Sequence, residues 1–387
     1  MNKLPDGWEI KKLKDILSNE KYSIKRGPFG SSLKKEFFIK EGVKVFEQYN
    51  PINNDPHWCR YRIDKKKYEE LKAFSCRAGD FLISCSGTLG KILLLPDNVE
   101  EGIINQALLK IRLNNKLVDN YYFLNLFQYE DFQKRIYIDA VGSAIHNIAS
   151  VNILKEMDVI IPPLDEQKRI ASALSKIDAY LENTIKLIEE KERFKRGIAK
   201  KLLTCKEGEN IPEARFKGFE DKWEETQILE FVNNNIIKIE KGKSITKSKI
   251  EEGDIPVIAG GKTPPYYHNK YNYNFPCITI SASGSAGYVW FHDYKIWASD
   301  CHVIYTDNKR YNIKFLYHYL KNIQDLIYYL QVGGVQKHVY AKDLIKLNIP
   351  NITIEEQEKI GGYLSLLDEE IDNLKKQKEL IKEMKRG

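Results

Sequence analysis

The sequence predicts an α+β chain: two similar mixed α/β halves with small, twisted, largely antiparallel sheets, each followed by a long helix. Three observations predict it. First, a segment recurs. Residues 161–197 read IPPLDEQKRIASALSKIDAYLENTIKLIEEKERFKRG and residues 349–387 read IPNITIEEQEKIGGYLSLLDEEIDNLKKQKELIKEMKRG. A shift of 190 positions sets Glu166-Gln167 on Glu356-Gln357, Ile170 on Ile360, Leu174 on Leu364, Asp178 on Asp368 and Lys195-Arg196-Gly197 on Lys385-Arg386-Gly387. Second, both copies carry a heptad seam. Third, the short β-rich runs between them do not alternate with helices of crossover length, which excludes a doubly wound parallel sheet.

Taken in order, Trp8-Glu9 opens the first half and Trp223-Glu224 the second. Val43–Phe46, Phe81–Ser84, Ile92–Leu95 and Leu108–Leu113 read as strands of the first half. In each half an apolar strand runs into a small-residue loop, with Ser86-Gly87 on Ser283-Gly284 and Gly90 on Gly287. NYYFLNLFQ (120–128) and NIKFLYHYLK (312–321) read as helices, and Val141-Gly142 matches Val332-Gly333. A short strand (Met157 to Ile161; Leu347 to Ile349) then precedes a proline and the long helix. The first helix has its seam at Ile170, Leu174, Ile177, Leu181 and Ile188, with Thr184 the polar member. The second has Ile360, Leu364, Leu367, Ile371, Leu374 and Ile381. This 4-3-4 spacing is that of a coiled coil. Pro162-Pro163 blocks extension upstream, and Thr353 with Glu356 is a capping-box pattern. Residues 165–203 would make a rod about 58 Å long, a spacer as well as core. The boundaries read are 1–161, 162–205 (helix and linker), 206–350 and 351–387.

The chain's 387 residues suit two domains plus connectors. With 42% hydrophobic and 30% charged residues the composition is that of a soluble globular protein. No apolar run is long enough to span a bilayer, and the basic, polar start has no signal core, so a cytoplasmic location without membrane contact is expected. The six cysteines form no CxxC pair and read as free thiols. A net charge of +7 is compatible with a polyanionic partner.

The motifs that look catalytic do not hold. Thr263-Pro264-Pro265-Tyr266 resembles the Asn/Asp-Pro-Pro-Tyr motif of amino-methyltransferases, but threonine lacks the acceptor geometry that holds an exocyclic amine. Gly242-Lys243-Ser244 lacks the phosphate-loop glycine, since that position is Ile237. His57 with Cys59, and Cys301 with His302, lack further ligands at metal spacing. The readings are therefore no catalytic residue, no metal and no cofactor in this chain.

The loops carry hydrogen-bonding side chains and positive charge. In the first half these are Lys25, Arg26, Phe29, Ser31, Ser32 and Lys34, then Gln48, Tyr49, Asn50, Asn53 and Asn54; in the second they are Lys241, Lys243, Lys247, Lys262, Tyr266, Tyr267 and His268. Lysine and arginine neutralise phosphates; Asn, Gln, Arg and Ser read base edges. Any one of them taken singly reads better as solvated surface. Together they describe one scaffold that matches at Trp, Gly, Phe-Leu and Glu-Gln and diverges in its loops.

With the Pro-Glu-Gln-Ile junctions (Ile161-Pro162-Pro163 to Ile170; Ile349-Pro350 to Ile360), the tryptophan openings and the Ser-Gly loops, the chain resembles the specificity subunit of type I restriction–modification systems over nearly its whole length. The second junction departs, with two extra residues before Glu356 and Asn351 for the second proline. The resemblance implies two target-recognition domains joined by an antiparallel coiled coil with internal pseudo-two-fold symmetry. Each domain is expected to read one half of a split double-stranded DNA target, and the helices to set the gap. It implies no catalysis in this chain. Its partners are two modification (methyltransferase) subunits using S-adenosylmethionine, and two restriction subunits using ATP and Mg in the full complex. A bifunctional type II restriction–methylation protein, or a scaffold that binds no DNA, are the other readings.

Overall fold

The computed structural model describes residues 4–137 and 148–386; the Val141-Gly142 match and Gly387 lie outside them. The chain divides into two compact units, one of residues 1–181 with 381–387, the other of residues 182–380. Their boundaries fall inside both long helices, Leu164–Leu203 and Ile354–Arg386.

Unit 1 contains β1 (Glu9–Lys12), β2 (Ile24–Arg26), β3 (Val43–Phe46), β4 (Tyr61–Ile63), β5 (Ser75–Cys76), β6 (Phe81–Ser84), β7 (Ile92–Leu94), β8 (Gly102–Ile104), β9 (Leu108–Ile111) and β10 (Asp158–Ile161). Unit 2 contains β11 (Glu224–Gln227), β12 (Ile237–Lys241), β13 (Ile255–Ile258), β14 (Tyr266–His268), β15 (Cys277–Ser281), β16 (Val289–His292), β17 (Trp297–Ala298), β18 (Cys301–Thr306) and β19 (Asn348–Asn351). The duplication is written in the strand orders. Order β2-β9-β6-β7 recurs as β12-β18-β15-β16, order β4-β3-β8 as β14-β13-β17, and pair β1-β10 as β11-β19. Strand β5 is peculiar to unit 1.

The four-stranded sheets of order β2-β9-β6-β7 and β12-β18-β15-β16 are antiparallel throughout. Each unit also has a second sheet with one parallel pair, β3 with β8 and β13 with β17. Two-residue and three-residue strands leave too little periodicity in the sequence to mark this pairing. The main sheet packs on a helix, Asn120–Gln128 in unit 1 and Ile313–Asn322 in unit 2, through Phe123 and Phe315, both fully buried.

The repeated Glu-Gln ties each long helix to that helix. Buried Gln167 accepts from the amide of Asp119 (2.9 Å) and donates to the carbonyls of Leu117 (3.0 Å) and Pro162 (2.8 Å). Buried Gln357 accepts from the amide of Asn312 (2.8 Å) and donates to the carbonyl of Ile352 (2.8 Å). Asp119 and Asn312 are themselves the N-caps. The glutamates differ. The Thr353 hydroxyl accepts from the Glu356 amide (3.4 Å), but the Glu356 carboxylate turns to Arg215 in a two-point pair (2.8 Å each), so half of the expected capping box forms.

The long helices run antiparallel where they meet. In unit 1 Lys385 pairs with Asp178 (2.6 Å); in unit 2 Lys195 pairs with Asp368, beside Lys191–Glu370 (2.6 Å) and Lys375–Glu192 (2.7 Å). Asp178 and Asp368 are repeat equivalents, as are Lys195 and Lys385, so one contact is made twice with the helices exchanging roles. Of the seam, Ile188, Ile360, Leu364, Leu367, Ile371 and Ile381 are buried, as is Thr184, while Ile170, Leu174, Ile177, Leu181 and Leu374 are half-buried.

Candidate nucleic-acid interface

Strand pairing decides which loops meet. Strands β2 and β6 are both antiparallel to β9, so they run the same way and the loops leaving them emerge at one end of the sheet. Strands β12 and β15 share that relation to β18. The loops leaving β6 and β15 are the same turn. The amide of Gly90 donates to the carbonyl of Ser84 (2.9 Å) and that of Gly287 to Ser281 (2.7 Å). The glycines take matched positive φ, +66° and +64° at Gly87 and Gly284, +70° and +84° at Gly90 and Gly287.

These Ser-Gly turns bring in a third loop, the one after β3 or β13. In unit 1 Ser86 Oγ donates to Gln48 Oε1 (3.3 Å), and Arg26 reaches the carbonyl of Cys85 (3.3 Å). In unit 2 the Ser285 amide donates to the carbonyl of Gly260 (2.6 Å), and a Cβ on Gly260 would sit 2.6 Å from the carbonyl oxygen of Ser283. Residues far apart in sequence thus share one end of each unit.

In unit 1 the β2 loop presents Lys25, Arg26, Ser31, Ser32 and Lys34, with Phe29 almost fully exposed. A groove of about 900 Å³ runs beside it, lined by Tyr22, Lys25, Arg26, Phe29, Phe74 and Lys155 among others. Lys25 lies 5.3 Å from the Tyr22 and Phe74 rings; Lys34 keeps a loose contact with Glu36 (3.8 Å). In the β3 loop Tyr49 stacks on Trp58 (4.2 Å), and exposed Asn53 donates to the carbonyl of Tyr49 (3.0 Å). In unit 2 Lys241, Lys243, Lys247, Lys262, Tyr266 and Tyr267 are exposed, Lys247 lying 5.9 Å from Tyr266 and Lys262 5.7 Å from Tyr288.

Two residues expected to face outward do not. Asn50 is fully buried; it accepts from the Glu47 amide (2.9 Å) and donates to the carbonyls of Asp55 (2.8 Å) and Trp58 (2.9 Å), closing its own loop. His268 is buried beside Trp297 and accepts from the Glu251 amide (3.1 Å). Side-chain chemistry in a turn-rich segment is the same for a loop's inner staple and its outer contact, so sequence alone did not separate them.

Two lysines behind these loops escaped the sequence reading. Buried Lys44 donates to the carbonyl of Pro56 (2.7 Å) under the β3 loop, and burial lowers its pKa. Lys321 lies 4.1 Å from the Tyr288 ring; burial, then Lys195 and Lys262, lower its pKa to about 8, against Asp368. Both sit in apolar stretches that give no cationic signal.

Among the described residues no cluster of three or more His, Cys, Asp or Glu is placed to hold a metal ion, and no helix is long and apolar enough to cross a membrane. Residues 5–190 and 220–383 match the family model of the type I restriction modification DNA specificity domain. The chain belongs to that family. It is a type I specificity subunit with two DNA-recognition domains and a coiled coil. It is 27% identical over 405 aligned residues to the putative type I restriction enzyme MjaX specificity subunit of Methanocaldococcus jannaschii, covering all of this chain and 92% of that one. It is 26% identical to the putative specificity subunit S.MgeORF438P of Mycoplasma genitalium over 63% of each chain. The fold resembles the crystal structure of a type I S subunit from M. genitalium (TM-score 0.63, 21% identity, covering 99% and 96% of the chains). It also resembles a chain from a structure on complex assembly and conformational transition of the type I system (TM-score 0.57, 16% identity, covering 100% and 97%).

Proposed function

We propose that this specificity subunit reads a bipartite double-stranded DNA target, one half with each unit. The observation that carries the reading is the three-loop end: one scaffold, built twice, with different cationic and amide-bearing side chains on it. Lys25, Arg26, Lys34, Lys241, Lys243, Lys247 and Lys262 contact phosphates, while Ser31, Ser32, Gln48, Asn53 and the exposed tyrosines face base edges. Asn50 and His268 hold their loops in shape. The helices set the gap and recruit two modification subunits, which bring S-adenosylmethionine for adenine methylation. Two restriction subunits bring ATP and Mg in the full complex. In this reading the chain carries no chemistry of its own and works in the cytoplasm.

The test is a footprint of the chain assembled with its modification subunits. Two short protected tracts are expected, separated by an unread gap of about half to one helical turn; one contiguous tract would overturn the reading. Methyl transfer by the chain alone would support the bifunctional alternative instead. Lengthening one helix by a few residues should change the gap and leave both half-sites intact.

A further inference from the structure

One segment of unit 2 stands at the three-loop end without a role in the reading so far. Residues 331–342 read QVGGVQKHVYAK and contain no acidic side chain. Val332 and His338 exchange both backbone hydrogen bonds (2.9 and 2.8 Å), closing a narrow hairpin with residues 333–337 at its tip. Gly333 takes φ +113°, and a Cβ there would lie 2.2 Å from the carbonyl oxygen of Gln336, so the turn requires glycine. The base is anchored on the Ser-Gly turn. Gln331 donates to the carbonyl of Ala286 (2.7 Å), the Val339 amide donates to the carbonyl of Ala282 (3.1 Å), and buried His302 bonds the carbonyl of Val339 (2.9 Å). The hairpin therefore springs from the same sheet end as the β12 and β13 loops. Its tip is turned outward: residues 332–337 are exposed, and Val335 is fully so.

Resting on the DNA reading above, we propose that this hairpin is a further reading element of unit 2. It enters the groove of its half-site, with Val335 and Gln336 against base edges and Lys337 on a phosphate. The tip, closed by a single bridge, is narrow enough for the major groove; its apolar side chain suits a thymine methyl, and an amide donates and accepts at a base edge. The absence of acids removes the repulsion that phosphates impose on most exposed turns. A tip with no interior contacts cannot be explained as packing, while its glycine turn and three-point base hold it in one shape, as base readout demands.

The experiment uses the chain assembled with its modification subunits. Binding is measured on the target mapped by adenine methylation, and on duplexes with each half-site scrambled in turn. V335A/Q336A should weaken binding to the intact target about 5- to 100-fold and abolish the preference for one half-site only. K337A should weaken all duplexes alike and lower the salt slope by about one. All three side chains are exposed, so thermal melting should be unchanged. Unchanged affinity and half-site preference in both variants overturn the proposal, as does loss of assembly with unchanged DNA contacts, which would make the hairpin a protein-docking element. K241A/K243A is the control. If it weakens binding while the hairpin variants do not, the hairpin alone is misassigned; if it also has no effect, the DNA reading itself falls.

Discussion

In unit 1 the loop after the third strand is closed by a side chain. Asn50 makes three hydrogen bonds inside it, Lys44 holds Pro56 from beneath, and Tyr49 stacks on Trp58. In unit 2 the corresponding loop is closed by close backbone approach, Gly260 against Ser283 and Ser285, and passes directly into strand β14. Both units share the same glycine turn, the same glutamine tie and the same sheet order. The supports are shared and the loops are built by different means. Such a division lets one half's contacts change without disturbing the scaffold of either.

The comparison breaks most sharply with acid. Two of the buried histidines of unit 2, His292 and His318, are held neutral by their surroundings. His292 is bonded to Thr279 Oγ1 (2.8 Å) and Tyr294 Oη (3.2 Å), and burial pushes it down to about 3. His318 is likewise lowered to about 3, by burial first and then by Lys195 and Lys314, while Asp368 (4.0 Å) and Ser365 (3.1 Å) face it. Between pH 6.5 and about 3 the unfolded chain binds these protons and the folded unit does not. Stability is therefore present above pH 6.5 and is lost as pH falls, by up to about 1.4 kcal/mol per pH unit for each histidine. His57 in unit 1 is exposed. Unit 1 instead has Glu100, held low mainly by its hydrogen bond to Arg62, and Glu20, whose arginine partners Arg112 and Arg77 outweigh its burial. Their contribution fades only as pH falls below about 4.5. Hydrogen exchange at pH 5 should show unit 2 opening while unit 1 stays protected. Equal loss in both units would sink the idea.

A smaller effect probes the shared support. Gln167→Ala takes the side-chain partner from three backbone groups, one buried and two partly buried, and Gln357→Ala from two, one buried and one partly buried. A buried group left so costs about 1–3 kcal/mol, and a partly buried one less because water can replace the partner. Both variants should lose protection at the start of their own partner helix, Asn120–Gln128 or Ile313–Asn322, the first by more. Losses in the opposite unit, or none, would show that the tie is not the local support described above.

The support was far more legible in the sequence than the contacts it carries. The long helices, the Trp openings, the glycine turns and the Glu-Gln junctions show as identities at a constant offset, because each does the same physical task twice. Gln133 and Gln324 were missed although they repeat too, bonding the carbonyls of Gly90 (3.5 Å) and Gly287 (2.7 Å); a lone glutamine on a short helix gives no periodic signal. The parallel pairs β3–β8 and β13–β17 were hidden because their strands are too short to show a period. At the loops, sequence showed which residues could hydrogen-bond but not which way they turn. Asn50 and Asn53 lie three positions apart in one loop, one sealed inside it and the other exposed. The hairpin at 332–338 was visible only as the matched Val-Gly pair at its base.

The smallest effect expected is also the most direct test of the repeat. Asp178–Lys385 and Asp368–Lys195 are one ion pair made twice, and both are partly open to solvent. Such pairs contribute about 0.2–1 kcal/mol. Lys195 and Asp368 are the less exposed pair, so the unit 2 copy should couple more strongly. Double-mutant cycles to asparagine and methionine give each coupling separately. The charge-exchanged double variants, D178K/K385D and D368K/K195D, should recover most of what either reversal alone loses, because antiparallel helices present both positions from the same side of the seam. Recovery at one pair and not the other would mean that the helices meet differently in the two units, and the matched register of the sequence would then be inheritance without shared geometry.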